Sequence, residues 1–125
     1  MKLGIDLVEI GRIGKLLSRN KENSLCRIWT EREIAEAKDK RGILRNETLA
    51  AGFACKEAVA KALGSGFGSD GAVPSEIEIL HRDSGEPYVV LHGRTKEYFE
   101  IKGFTSVEIS ITHTAENAAA VCLLI

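Results

Sequence analysis

The sequence is poor in the features that mark specialised classes of protein. Its three cysteines, Cys26, Cys55 and Cys122, are far apart and odd in number. Neither a CxxC pair nor a Cys/His zinc spacing occurs, so a disulfide scaffold and a zinc module are both excluded. Reduced, mostly buried thiols in a cytoplasmic protein are the expectation. Proline occurs twice against 12 glycines, and no repeat or low-complexity stretch divides the chain. Long apolar runs are missing too, so no membrane-spanning helix is expected. The opening MKLGIDLVEI carries Asp6 and Glu9 and no small-residue cleavage site, unlike a signal peptide. With 44% hydrophobic and 28% charged residues, the 125 residues suit one globular domain, 1–125, with a core of its own.

Net charge is nearly absent at −1, yet its distribution is uneven. Between Arg12 and Arg45 lie ten basic residues, Arg12, Lys15, Arg19, Lys21, Arg27, Arg32, Lys38, Lys40, Arg41 and Arg45. Five acids (Glu22, Glu31, Glu33, Glu36, Asp39) leave that window at +5 and the remainder at −6. A basic face on a neutral protein points to an acidic partner met at one surface, or simply to two solvated helices. Nucleic acid fits poorly, given the acidic remainder and 6% aromatic residues.

Residues 2–9 alternate as a strand, with Leu3, Ile5 and Leu7 on one face and Gly4, Asp6 and Val8 on the other. A short basic helix is expected from Gly11 to Asn20. Thr30 and Glu33 form a capping-box pattern that opens a second helix, Glu31 to Lys40. The clearest element is a long helix from Arg45 to Leu63, with Ala51, Ala54, Ala58 and Ala62 as a small-residue stripe and Gly64 ending it. GSGFGSDG then reads as a loop. Glu76–Leu80 and Tyr88–His92 form a hairpin around Asp83-Ser84-Gly85. A short helix (Arg94–Lys102), a strand (Val107–Thr112) and an apolar run (Ala118–Ile125) close the chain. That last run fits a central strand or one buried in a subunit contact. The class is α+β, a long helix on a mainly antiparallel sheet.

Three segments carry candidate chemistry. Asp6 is a carboxylate within an apolar strand, so it needs a cation, several donors, or a water-facing side. Gly4 beside it leaves room for the close approach of a ligand. In Lys56-Glu57-Ala58-Val59-Ala60-Lys61-Ala62-Leu63-Gly64, Glu57 and Lys61 are i,i+4 neighbours, with Gly64 continuing their face. Such a pair is commonly a surface ion pair. An acid, an ammonium and a glycine turn in line are also what a metal–diphosphate site requires: oxygen for a hard cation, a positive charge and loop amides for phosphate. The glycine loop alone is weak, because it follows a helix and lacks the GK[ST] ending. The negative end of the helix dipole also faces it, which disfavours phosphate unless Lys61 or a metal compensates. Third, Ser110-Ile111-Thr112-His113-Thr114 runs from strand to a His-bearing bend without a GxSxG elbow. His81 and His92 read as surface residues of the hairpin.

Taken together, these segments resemble the holo-acyl-carrier-protein synthases, the short trimeric branch of the 4'-phosphopantetheinyl transferases. The matching residues are Gly4-Ile5-Asp6, Phe53-Ala54-Cys55-Lys56-Glu57-Ala58, Lys61-Ala62-Leu63-Gly64-Ser65-Gly66 and Ser110-Ile111-Thr112-His113-Thr114. Glu76-Ile77-Glu78-Ile79 and Gly85-Glu86-Pro87-Tyr88 match in order between them, so the likeness covers the whole chain. The resemblance implies Mg²⁺-dependent transfer of 4'-phosphopantetheine from coenzyme A to a serine of apo-acyl carrier protein, releasing adenosine 3',5'-bisphosphate. It implies Asp6 and Glu57 as metal ligands, and Glu57 and Lys61 as catalytic residues. Lys61, Gly64, Ser65, Gly66, His113 and Thr114 would contact the coenzyme. Acyl carrier protein is acidic, so Arg12, Lys15, Arg19 and Arg27 become the docking residues. The site would lie between neighbouring subunits of a homotrimer whose core the terminal strand helps line. Many members carry Arg just before the aromatic of the long helix, where this chain has Gly52, and Arg45 is the candidate substitute. After His113, the family's common lysine and aromatic are replaced within Ala115-Glu116-Asn117. These departures keep a non-catalytic binding module for an acidic carrier protein as the alternative.

Overall fold

The computed structural model describes residues 1–19 and 25–125, so Lys21, Glu22 and the expected helix end at Asn20 lie outside the described residues. The elements run β1 (Lys2–Glu9), α1 (Ile10–Arg19), α2 (Glu31–Ala37), α3 (Asn46–Leu63), a 3₁₀ turn (Pro74–Glu76), β2 (Ile77–His81), β3 (Pro87–Leu91), α4 (Gly93–Ile101), β4 (Val107–His113) and β5 (Asn117–Leu124). β1, β5 and β4 form one antiparallel sheet with β5 at its centre, and β2 and β3 form a separate hairpin. The α+β class and the central place of the terminal strand are as the pattern predicts.

The layers follow from side-chain alternation and from the alanine stripe. On the inner face of the sheet, Gly4 pairs with Cys122, Asp6 with Ala120 and Val8 with Ala118. α3 crosses that face through Ala54, Ala58 and Ala62, all buried. Helix and strand come so close that a Cβ on Gly4 would sit 1.9 Å from the Ala58 carbonyl oxygen. The close approach expected at Gly4 is therefore made by the helix backbone, and not by a ligand. Gly64 caps α3 in the left-handed region at φ 77°, its N–H donating to the Ala60 and Lys61 carbonyls, which is the expected stop.

On the outer face, Leu3, Ile5 and Leu7 are 68%, 65% and 68% exposed. Their registered partners Leu123, Val121 and Ala119 continue the same apolar surface. No helix among the described residues is long and apolar enough to cross a membrane.

α2 is shorter than expected. The capping box is present, with Glu33 N donating to Thr30 Oγ1 and Thr30 N to Glu33 Oε1. The helix stops at Ala37, because Asp39 Oδ1 accepts from Arg41 N at 2.8 Å and Ile43 N at 3.0 Å. That local turn competes with helical bonding, and Lys38 bridges Leu44 in extended form. Cys55 and Cys122 are buried and Cys26 is exposed, with burial pushing the Cys55 and Cys122 thiols up to about 12.

Candidate active site

On α3 the row Phe53, Glu57, Lys61 recurs at i,i+4 and turns toward the edge of β1, where Asp6 points inward. Lys61 Nζ donates to Asp6 Oδ1 at 2.9 Å and to the Ile5 carbonyl at 3.0 Å. The ammonium thus spans helix to strand, and its ion pair is with Asp6 and not with its helical neighbour Glu57. The Asp6 side chain is 15% exposed and that of Lys61 54%. The hydrogen bond from Lys61 to Asp6 holds the ammonium's pKa up, despite a small opposing effect of desolvation. Glu57 is raised above the ordinary carboxylate value by burial and then by the negative charge of Asp6, with Lys61 opposing. Two convergent carboxylates, one of them reluctant to ionise, form an oxygen-only donor set that suits a hard divalent cation. Mg²⁺ binds through one or two such carboxylates, completing its shell with phosphate and water. The residues present fit the ion that the resemblance implies.

The same acids line a cleft of about 620 Å³ between β1, α1 and α3. Asp6 and Glu57 lie at its floor, Leu16, Ile28 and Phe53 give it an apolar wall, and Arg12, Lys15 and Arg19 stand along its rim. α1 sets that rim because its apolar side, with Ile13 buried, faces the core and leaves the basic row in solvent. None of these three cations is in an ion pair among the described residues. Arg27 is exposed in the turn that follows and lines no part of the cleft.

Other expected site residues lie apart. Gly64, Ser65 and Gly66 follow directly on the last turn of α3, next to Lys61. Arg45 is at the opposite end, as N-cap of α3, where its guanidinium donates to the Glu36 carbonyl at 2.7 Å and the Ala37 carbonyl at 3.2 Å. His113 ends β4 and Thr114 follows it, and His113 lines a second cavity of about 230 Å³ with Glu47, Thr48, Gly52 and His81. At 1.5 Å per residue, Thr48 and Lys61 are roughly 20 Å apart along the helix axis. One chain therefore carries the two groups of expected residues at opposite ends of one helix. A Cβ at Gly52 would meet Glu33 Oε2 at 3.7 Å and Trp29 Nε1 at 3.8 Å, ordinary contact. An alanine would therefore be accommodated there.

A family model described as the 4'-phosphopantetheinyl transferase superfamily matches residues 2–122. This chain belongs to that superfamily. A holo-[acyl-carrier-protein] synthase of Alkaliphilus oremlandii is 40% identical over 123 residues, covering 98% of this chain and 97% of the relative. One of Ruminiclostridium cellulolyticum is 36% identical over 124 residues, covering 99% and 91%. Among solved structures, the Helicobacter pylori holo-[acyl-carrier-protein] synthase in complex with coenzyme A superposes with a TM-score of 0.84 at 34% identity, covering 98% of this chain and 99% of that one. The Neisseria meningitidis synthase gives 0.85 at 27% identity, covering 99% and 97%. The phosphopantetheinyl transferase fold expected from the residues is thus the observed one.

Two buried charged residues beside these elements were not read from the sequence. Lys56, adjacent to Glu57, is fully buried, and its three N–H groups donate to Glu33 Oε1 at 2.7 Å and to the Pro74 and Ile77 carbonyls. Burial pulls its pKa down against the attraction of Glu33. The available signal was heptad spacing: Leu49, Lys56 and Leu63 share one face, and both leucines are core. Glu78 is the second. It accepts from Arg32, Thr30 and His92, binding α2 to the hairpin and to the start of α4. His81 likewise meets Glu36, at 3.0 Å; both histidines are exposed, as expected, and each is held by a carboxylate.

Proposed function

We propose that this chain transfers the 4'-phosphopantetheine group of coenzyme A to a serine of an apo-acyl carrier protein, releasing adenosine 3',5'-bisphosphate. The observation that carries the reading is that Asp6, itself bonded to Lys61, and Glu57 line one cleft together with the basic row of α1. Asp6 and Glu57 are the ligands for Mg²⁺, which supplies charge neutralisation at the coenzyme's diphosphate. Lys61 contributes a positive charge where negative charge develops on the departing bisphosphate. The serine oxygen attacks the phosphorus that carries pantetheine, the bond from that phosphorus to the bisphosphate breaks, and the serine proton passes to a base. Glu57 or a water held by the metal would receive it. Gly64, Ser65 and Gly66 serve the coenzyme phosphates.

Arg12, Lys15, Arg19 and Arg27 meet the acidic carrier, steering it onto the cleft. His113, Thr114 and Arg45 act on the coenzyme from a neighbouring subunit, because within one chain they stand a helix length from Lys61. The exposed outer face of Leu3, Ile5 and Leu7 supports a homotrimer closed on that face. The reaction is a cytoplasmic step of fatty-acid biosynthesis.

Incubating apo-carrier protein with the chain, coenzyme A and Mg²⁺ is expected to add the mass of phosphopantetheine to the carrier, and omission of either coenzyme or metal to abolish the gain. An unchanged carrier mass across several acidic carriers would overturn the assignment. Binding of carrier without any transfer would instead support the non-catalytic module.

A further inference from the structure

The glycine loop that leaves α3 presents an electrostatic problem. The carbonyl end of a helix carries about half a negative charge, which opposes phosphate within the next turn. Lys61 makes its bonds to Asp6 and the Ile5 carbonyl of β1, not to the carbonyl end of the helix. The structure brings a different ammonium to that end: Lys102, the C-cap of α4, donates from Nζ to the Leu63 carbonyl at 2.9 Å. A Cβ on Gly64 would lie 3.8 Å from the same nitrogen. Lys102 is packed over the Tyr98 ring at 5.1 Å, which fixes the direction of approach. An ammonium has three donors, and Lys102 is exposed, so charge remains available beside the loop after the Leu63 bond is made.

The other end of α4 grips the loop's far side. Arg94 Nη2 donates to the Gly68 carbonyl at 3.1 Å and the Gly71 carbonyl at 3.0 Å. Thr95 Oγ1 accepts from Val73 N at 2.9 Å. Inside this bracket the loop turns back on itself, Ala72 N donating to the Gly66 carbonyl. A Cβ on Gly71 would sit 2.5 Å from that same oxygen. The curve from Gly64 to Gly71 is therefore held from outside by α4 as well as by its own backbone.

We infer that Lys102 and Arg94 are positioning residues for the coenzyme's phosphates, Lys102 by cancelling the carbonyl end of α3 and Arg94 by fixing the loop that follows it. The inference rests on the transferase reading above, which assigns Gly64, Ser65 and Gly66 to those phosphates. It extends the site to a helix that supplies none of the motif residues.

The test uses the full chain with Mg²⁺, following coenzyme A both by calorimetric titration and by transfer kinetics. Lys102→Gln keeps a donor for Leu63 and removes the charge. It is expected to raise the Kd and KM for coenzyme A roughly threefold to tenfold, with kcat within about twofold and with the defect shrinking at high salt. Lys102→Arg is expected to restore the wild-type values. Arg94→Lys retains charge but has no fork for two carbonyls. It is expected to raise KM and to speed amide exchange at Ala72. Unchanged coenzyme Kd and KM in Lys102→Gln and Arg94→Lys, whatever happens to thermal stability, would overturn the inference, as would a Lys102→Arg variant no better than Lys102→Gln. If the wild-type chain binds coenzyme A without transferring it, the Kd comparison still decides the role of the loop. A wild-type chain that neither binds nor transfers overturns both readings.

Discussion

Adjacent residues Lys56 and Glu57 have opposite fates, and the difference sorts what each substitution should do. Glu57 faces the cleft and Lys56 the core, about 100° apart on one helix. Asp6→Ala or Glu57→Gln removes a proposed metal ligand at a partly solvated site. Each is expected to abolish phosphopantetheine transfer, measured by carrier mass, while leaving the far-UV spectrum and thermal midpoint near wild type. Full activity in either would sink the metal assignment. Lys61→Ala is expected to lower kcat about 10²- to 10³-fold, the usual penalty for losing one charge-stabilising group in an active site.

Glu78 gives a pH-dependent prediction on the same scale. Burial alone would raise its carboxyl, but hydrogen bonds from Arg32, Thr30 and His92 outweigh burial and hold it at about 2 against an ordinary 4.5. A depressed carboxyl pKa stabilises the fold fully above the unfolded value and loses that contribution as pH falls toward the folded one. Glu78→Gln should therefore destabilise the chain at pH 7 by about 1–3 kcal/mol. The gap to wild type should close between about pH 4.5 and pH 2, read from denaturant midpoints across pH. A constant gap over that range would show that the ionised carboxylate is not the stabilising form.

At the scale of elements, regular periodicity was legible and tertiary pairing was not. β1, α1, α3, the hairpin and β5 begin within a residue or two of where alternation and caps place them, because each has one face fixed by burial. α2 ends early at Ala37 because the Asp39 side chain competes for backbone donors, a local bond that apolar spacing does not reveal. α3 is nearly all-round buried, so no amphipathic stripe marks which of its polar residues goes inside. That is why Lys56 escaped and Glu57 did not: both stand in the motif, but only Glu57 has an i,i+4 partner within it, whereas Lys56 is fixed by Glu33 and by the Pro74 and Ile77 carbonyls. Lys56→Met should cost about 3–5 kcal/mol, since Glu33 would remain buried without its cation. Replacing both, as Lys56→Met with Glu33→Leu, should recover much of that loss but not the capping-box bonds, about 1 kcal/mol. Urea denaturation of the two single variants and the double variant checks this, and an additive double variant would contradict the pairing.

At the scale of the whole molecule, the proposed site calls for more than one copy of the chain. Asp6, Glu57 and Lys61 were grouped through the family resemblance, because the residues alone left Asp6 open to a salt bridge and Glu57 and Lys61 to a surface pair; the fold brings Lys61 to Asp6 within one chain. Arg45 and His113 were legible as residues, but their place at the opposite end of α3 was not, because spacing in sequence says nothing about which subunit completes a site. If three copies close on the outer sheet face, sedimentation should give the mass of three chains, and Ile5→Asp should yield monomers without transferase activity. A trimer alone would not show that the half-sites meet. Mixing two inactive chains separates the possibilities, one with Glu57→Gln and the other with His113→Ala. Each supplies the half that the other lacks. Random reassembly after dilution through denaturant should then place two intact halves together at about one interface in four. Activity near a quarter of wild type, from parents that have almost none, is the expected result. A mixture as inactive as its parents, in trimers shown by mass to contain both chains, would mean that each chain completes its own site.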